Sequence, residues 1–294
     1  MIAMNTGTPQ ATDAAQKQLV SELALRADSC RTRGRYNESE ALFRRALELA
    51  ERFFGENNLR LVPLLNNFAV LGKYSGNFDE AETCYRRALT ITERWLGAEN
   101  GEVATLYHNL GGLEHARGNY AAGEPLARRA VEIRRALLGE EHLDVAADMA
   151  ALAAILDGLG RYDESEPIYH QVIEIFEREG GSENYEIAIN LNNLAAVYAA
   201  QGKLEAAERM YLRALAIKEK LLGAEHPDVA VTLNNLALLV KDQGELTRAA
   251  AIYERALTIF ERALQPTHPC RLRCRANYEK LRRKLARSAA NTEI

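Results

Sequence analysis

The 294-residue sequence lacks the residue patterns of several protein classes. Its four cysteines, Cys30, Cys84, Cys270 and Cys274, have the spacing of neither a zinc site nor a redox pair. We therefore expect reduced cysteines packed between the helices of a cytoplasmic protein. No run of about 18 apolar residues could span a membrane, and the first residues show no charged segment followed by an apolar one. Neither a secretion signal nor a membrane partner is expected.

Proline and surplus positive charge are also scarce. The seven prolines leave no room for a proline-rich linker, and 37 basic against 41 acidic residues give a net charge of −4. A nucleic-acid partner is not expected, because nucleic-acid binders carry a basic surplus. The sequence contains no G-x-x-x-x-G-K-[ST], H-E-x-x-H or G-x-S-x-G motif, and no G-x-G-x-x-G after a strand. We expect no enzymatic activity, no cofactor and no metal.

Glycine, in contrast, is placed with strict regularity. One series of glycines recurs every 42 residues, and a second series has the same spacing, with Gln265 where its sixth member would fall. Six copies in phase, without an insertion, indicate a solenoid of stacked repeats. The first series is Gly34, Gly76, Gly118, Gly160, Gly202 and Gly244, and the second is Gly55, Gly97, Gly139, Gly181 and Gly223.

Each repeat contains two amphipathic segments separated by a glycine. In the fifth copy an apolar stripe at helical spacing, from Leu191 to Tyr198, precedes Gly202, and a second stripe runs from Leu204 to Leu215. Two such helices cannot bury both stripes alone, so neighbouring repeats have to cover them. Within the second helices, one column is always small and a column four residues later is large except at Ala127. The small column is Ser39, Ala81, Gly123, Ser165, Ala207 and Ala249, and the large column contains Phe43, Tyr85, Tyr169, Tyr211 and Tyr253.

These residues resemble a known repeat family. Leu194-Ala195-x-x-Tyr198, followed by Ala207-x-x-x-Tyr211, is similar to the tetratricopeptide repeat, and the 42-residue period with Leu233-Asn234-Asn235-Leu236-Ala237 resembles the kinesin light chain type. The resemblance implies an all-α, right-handed α-solenoid of helix-turn-helix repeats. We predict disordered tails at 1–16 and 288–294, six repeats over 17–266 and a C-terminal capping helix over 267–287.

The same resemblance implies that the first helix of each repeat lines a concave groove. Two adjacent columns at the groove are rich in asparagine, a mediocre helix former whose amide can pair with the main chain of an extended peptide. The alternative is that these amides bond neighbouring helices within the stack, and the sequence does not decide which member of each pair contacts a ligand. The columns contain Asn66 and Asn67, His108 and Asn109, Ala150 and Ala151, Asn192 and Asn193, Asn234 and Asn235, and Ala276 and Asn277.

Further along the first helices, charged and small residues alternate. Lys73 and Lys241 are expected to meet acidic groups of a ligand, although solvated surface charges are an equal alternative. Gly112, Ala150 and Ala154 leave room for one bulky apolar side chain, so an apolar anchor with polar contacts around it is predicted. His108 and His115 lie two helical turns apart, about 10 Å, which is too far for one metal ion.

We therefore predict a non-catalytic scaffold that binds an extended peptide segment of another protein, with acidic and apolar residues in the partner. The alternative is a structural protein that oligomerises through its terminal repeats or its basic C-terminal helix. That helix carries Arg282, Arg283 and Lys284 beside an apolar stripe, and is interpreted either as a solubilising cap or as a site for an acidic partner or a membrane surface. A third possibility is a sensor for a small ligand or signalling peptide.

Overall fold

The computed structural model describes residues 9–292, and the side chains of residues 17–286. This range contains thirteen α-helices, one short 3-10 helix and no strand. The chain divides into two compact units, residues 1–140 and 141–294. The first unit contains α1 (Pro9–Thr32), α2 (Tyr36–Phe54), the 3-10 helix (Leu59–Leu61), α3 (Val62–Ser75), α4 (Phe78–Leu96), α5 (Gly101–Arg117) and α6 (Tyr120–Leu138). The second contains α7 (Leu143–Gly158), α8 (Tyr162–Gly180), α9 (Tyr185–Ala200), α10 (Leu204–Leu222), α11 (Pro227–Asp242), α12 (Leu246–Ala263) and α13 (Pro269–Thr292).

Each unit is a stack of helical hairpins. In the first unit α1 packs on α2, α3 on α4 and α5 on α6; in addition, α2 contacts α3 and α4 contacts α5. The second unit repeats this arrangement from α7 to α12, and α13 packs on both α12 and α11. First helices therefore lie side by side within a unit, which is the helix-turn-helix stacking that the sequence predicts.

The two glycine series mark the ends of helices, as their spacing predicts. All eleven glycines of the two series have positive φ values, between 72° and 91°. Gly76 ends α3 in the left-handed conformation, and the amide of Gly97 donates to the carbonyl of Glu93 at the end of α4. Only glycine adopts these angles without a steric cost, so its recurrence places the ends of α1 to α11, whereas α12 ends at Ala263 without a glycine.

The small and large columns of the second helices form the core between helices. Every member of both columns is buried, including Ala127. Ser39 also donates a hydrogen bond to the carbonyl oxygen of Ala27 at 2.7 Å, which joins α2 to α1. Where Ala127 replaces the large residue, Gly111 lies close to it, and a Cβ at Gly111 would be 3.4 Å from that of Ala127. The backbone of α5 is therefore in close contact with Ala127 of α6 at this point.

Two features of the chain ends differ from the sequence-based expectation. Helix α1 begins at Pro9, within the range predicted to be disordered, because proline is well tolerated at a helix start and glutamines and alanines follow it. Helix α13 continues to Thr292. The predicted disorder of residues 1–8 and 293–294 concerns positions outside the described residues. Among the helices described, none has the length and apolar character needed to cross a bilayer.

Candidate functional site

The first helices are held in register by capping at one recurring position. The side chains of Asn58, Asn100 and Asn184 accept hydrogen bonds from the main-chain amide two residues later, at 2.8 to 3.0 Å. His142 and His226 do the same through Nδ1. Asn58 caps the 3-10 helix that precedes α3, and the other four residues, spaced at multiples of 42, cap α5, α7, α9 and α11. These four helices therefore start at the same phase and present the same columns to the same side.

In the first unit, the asparagine columns bond one another. The amide nitrogen of Asn109 on α5 donates to Oδ1 of Asn66 on α3 at 2.8 Å, and Asn66 donates to Asn67 at 3.2 Å. All three are half-buried, as is His108 beside them. The alternative interpretation, that these amides bond neighbouring helices, therefore describes part of their role.

The second unit contains a longer series of the same kind. Asn235 on α11 donates to Asn192 on α9 at 3.4 Å, and Asn277 on α13 donates to Asn234 at 3.3 Å. Asn234 in turn donates to Asn235 at 3.3 Å. We call these interhelical amide contacts, together with those of the first unit, the amide ladder. In both units it joins the second asparagine of one repeat to the first asparagine of the preceding repeat.

The amide ladder leaves hydrogen-bonding groups unused. An asparagine amide has two donor hydrogens and an acceptor oxygen, and each ladder contact engages one donor or one acceptor. The nitrogen of Asn192 donates to no other described residue, and neither does the nitrogen of Asn67. Both side chains are half-buried and retain access to solvent, whereas Asn234 is only 6% exposed.

Lys73 lies over Gly112, a position on α5 that has no side chain. Its Nζ is 3.3 Å from the place where a Cβ would stand on Gly112. Desolvation in this position lowers the pKa of Lys73. Within the described part of the chain, Lys73 makes no hydrogen bond and no ion pair, so its charge is unneutralised there.

The other predicted site residues lie in the second unit. Lys241, near the end of α11, forms an ion pair with Asp242 at 3.0 Å. Ala150 and Ala154 are half-buried on α7, consistent with small side chains on an accessible face. Asn193 hydrogen-bonds the hydroxyl of Tyr169, which itself donates to Asp157 at 2.6 Å. Burial, followed by the negative charge of Asp157, raises the pKa of Tyr169.

Sequence reasoning missed two polar features of the second unit. Lys218 on α10 is 5% exposed and donates to Oγ1 of Thr232 at 3.0 Å, and burial lowers its pKa. A cleft of about 500 Å³ between α11 and α13 is lined by Lys241, Lys280, Leu281, Arg283 and Lys284. The 42-residue column of Lys73 and Lys241 continues to Arg283, so extending that column to the last helix would have found the cleft.

The described residues offer no metal site. No three histidine, cysteine, aspartate or glutamate side chains of residues 17–286 come together in a way that could hold an ion. His115 instead packs edge-on against Tyr120, with ring centroids 5.4 Å apart. Among the candidate first-helix residues, the structure brings asparagine amides into contact with one another.

Several solved structures have a similar fold. BtubC (BKLC) from P. vanneervenii is 24% identical, with a TM-score of 0.62 over 86% of this chain and 95% of that one. A structure described as a kinesin light chain with nearly identical TPR-like repeats, from Podosopora anserina, is 24% identical, with a TM-score of 0.60 over 69% of this chain and 96% of that one. A Rap protein complexed with Competence and Sporulation Factor is 15% identical, with a TM-score of 0.57 over 95% and 80%.

The resemblance to kinesin light chain-type repeats is thereby confirmed at the level of fold. No curated protein matches the sequence. The tetratricopeptide repeat motif matches in six overlapping segments, residues 19–94, 64–120, 102–178, 146–220, 186–262 and 228–290. Repeats of this kind generally mediate interactions between proteins. With its 42-residue period and its stacked helical hairpins, the chain belongs to the tetratricopeptide repeat family.

Proposed function

We propose that the protein is a non-catalytic scaffold whose first helices bind an extended segment of another protein. The observation that carries the proposal is the amide ladder, with its unused donors on accessible side chains. A main chain in extended conformation offers a carbonyl and an amide at every residue, and primary amides complement both. Such contacts give affinity for a peptide without demanding a particular sequence.

The proposal assigns roles to the predicted residues. Asn66, Asn109 and Asn192 contact the peptide main chain; Asn235 holds Asn192 in place, and Asn193 is itself held by Tyr169. Asn234, being almost fully buried, supports the ladder from behind. Lys73, whose charge has no partner among the described residues, meets an acidic group, as does Lys241. One apolar side chain of the partner rests against the small surface of Ala150 and Ala154.

A similar fold is known with a bound factor, which supports the proposal only by analogy. The Rap protein structure named above contains Competence and Sporulation Factor. At 15% identity the likeness extends to the fold alone. Binding of a peptide by this chain therefore has to be tested on the chain itself.

The test is a selection of random displayed peptides on the purified protein and on an Asn109→Ala/Asn192→Ala variant. The proposal expects a family of related peptides enriched on the wild type and at least tenfold less enriched on the variant. Circular dichroism has to show equal helix content in both proteins, since the two substitutions also remove ladder bonds. No enrichment on the wild type, or equal enrichment on both proteins, would contradict the proposal.

A second candidate function, self-association, is favoured by the apolar surface of α1. Leu25 on α1 is 72% exposed and borders a cleft of about 490 Å³ beside Val20, Phe54 and Leu64. Exposed apolar patches of this kind often mark contact surfaces. Light scattering over a range of concentrations decides: self-association predicts a rising mass that Leu25→Glu abolishes, and a constant monomer mass rejects it.

A further inference from the structure

The last helix does more than cover the preceding repeat. Helix α13 lies beside α11, and Asn277 extends the amide ladder by its bond to Asn234. Residues of α13 also occupy the columns that contain the candidate ligand contacts of earlier first helices. Position 283 continues the column of Lys73 and Lys241, and position 280 continues that of Ala154 and Leu238. By both criteria α13 occupies the position that a first helix would have in a seventh repeat.

At these column positions α13 presents only cations. Lys280, Arg283 and Lys284 surround the cleft together with Lys241, and Leu281 forms its floor. Two carboxylates are nearby: Asp242 pairs with Lys241 at 3.0 Å, and Glu279 lies 3.8 Å from Arg283. Lys280 and Lys284 make neither a hydrogen bond nor an ion pair with any other residue that the structure describes. The cleft therefore keeps an excess of positive charge.

We infer that the cleft between α11 and α13 binds carboxylate side chains of an acidic peptide segment, through Lys241, Lys280, Arg283 and Lys284. The inference rests on the proposed function, because it places the acidic part of the extended ligand at the last helix.

The form of the cleft favours this ligand over other polyanions. Its cations line a concave space, whereas a membrane surface is met by charges on a flat or convex face. No aromatic side chain is among the residues that line it, so it has no platform on which nucleic-acid bases could stack. A segment with closely spaced glutamates or aspartates satisfies both the charge and the shape.

The test measures fluorescence anisotropy with a labelled hexaglutamate peptide at low salt. The wild type is compared with Lys280→Gln/Lys284→Gln and with a control of equal charge, Arg209→Gln/Arg273→Gln, whose cations are exposed outside the cleft. We expect about five- to tenfold weaker binding in the first variant and at most a twofold change in the control. Equal weakening in both variants would show non-specific attraction and overturn the inference, as would the absence of binding to the wild type.

Two further probes separate this inference from the proposed function and from another ligand class. A single-stranded oligonucleotide with six phosphates that binds as tightly as the peptide, and is weakened equally by the cleft variant, would refute the acidic-peptide assignment. A neutral peptide enriched by display tests the proposed function alone. If the wild type binds that neutral peptide but not hexaglutamate, the inference fails while the proposed function stands. If it binds neither, both fail.

Discussion

At the scale of the residue, one column caps the start of four first helices, α5, α7, α9 and α11, and of the 3-10 helix before α3. Its members are asparagines and histidines, and both types offer an acceptor at the same distance from the main chain. The histidine at 268 makes the equivalent contact to the amide of Cys270 at 3.3 Å. The column contains Asn58, Asn100, His142, Asn184, His226 and His268.

The interchange of the two residue types gives a prediction for His226. Replacement by alanine removes the acceptor of the Asp228 amide, so the free energy of unfolding should fall by about 1 kcal/mol. Replacement by asparagine, the residue that caps α5 and α9, should change it by less than about 0.5 kcal/mol. Urea denaturation measures both. Equal losses in the two variants would mean that the imidazole acts by packing and not as a cap.

The buried lysine at 218 gives a second prediction, for the dependence of stability on pH. Burial lowers its pKa in the folded protein, so the unfolded chain binds more protons between the folded and the unfolded pKa values. The destabilising contribution of Lys218 is therefore complete below its folded pKa and disappears as the pH rises towards the unfolded value of about 10.5.

Lys218→Met keeps most of the packing and removes the titration. We expect the variant to be more stable than the wild type at pH 7, with a difference that shrinks as the pH is raised to about 10. Urea midpoints at four pH values measure the difference. Because both proteins contain the same buried tyrosines, the contribution of those tyrosines to the pH dependence cancels in the difference. A constant difference across this range would show that Lys218 has no lowered pKa in the folded state.

At the scale of the element, the closeness of two helices in a hairpin depends on single small residues. A Cβ on Gly72 of α3 would stand 2.8 Å from the carbonyl oxygen of Asn77 and 2.9 Å from the Cβ of Ala81 on α4. Both neighbours belong to the hairpin turn and its second helix, so neither can move without opening the repeat.

Gly72→Ala should therefore lower the free energy of unfolding by about 1 to 3 kcal/mol, although alanine is the better helix former. Gly112 provides the matched control, since a Cβ there would meet only the flexible end of Lys73 at 3.3 Å. Gly112→Ala should be neutral or stabilising by up to about 1 kcal/mol. Thermal unfolding measures both, and a Gly72→Ala variant as stable as Gly112→Ala would refute the close approach.

The helices were predictable from the sequence because the residues at their ends are chemically distinctive. Glycine at positive φ follows each helix from α1 to α11, and the small and large columns fix which faces meet, so the period, the hairpins and the core followed directly. The start of α1 at Pro9 could not be predicted in this way, because only local helix propensity marks its beginning. The hydrogen-bond partners of the asparagines could not be predicted from the sequence either. A column shows that Asn66 and Asn109 face the same side, but their hydrogen bond depends on the spacing between α3 and α5.

At the scale of the whole molecule, the last helix packs on the repeat before it. Sequence reasoning treated it as a cap with a basic exterior, since a terminal repeat usually needs a polar outer face. The structure shows both functions in one helix. Its apolar stripe covers α12, where Leu281 is 1% exposed and Cys274 is fully buried, and its other side continues the ladder through Asn277.

The contribution of α13 to stability is measured by truncating its buried leucine. Leu281→Ala should reduce the free energy of unfolding by about 2 to 4 kcal/mol, because it removes a fully buried side chain from the contact with the preceding repeat. Leu272 on the same helix is 50% exposed, and Leu272→Ala should change it by less than about 1 kcal/mol. If Leu281→Ala has no larger effect than Leu272→Ala, α13 is not an integral part of the second unit.

The central claim is that the first helices bind an extended peptide through amides left free by the ladder. Isothermal titration of a display-enriched peptide against the wild type, Asn192→Ala and Leu212→Ala tests it most directly. Leu212 is 43% exposed on the second helix α10 and serves as the control. We predict about tenfold weaker binding for Asn192→Ala, the equivalent of one or two hydrogen bonds, and unchanged binding for Leu212→Ala. Equal affinity of the wild type and Asn192→Ala would contradict the account, as would an equal loss in Leu212→Ala.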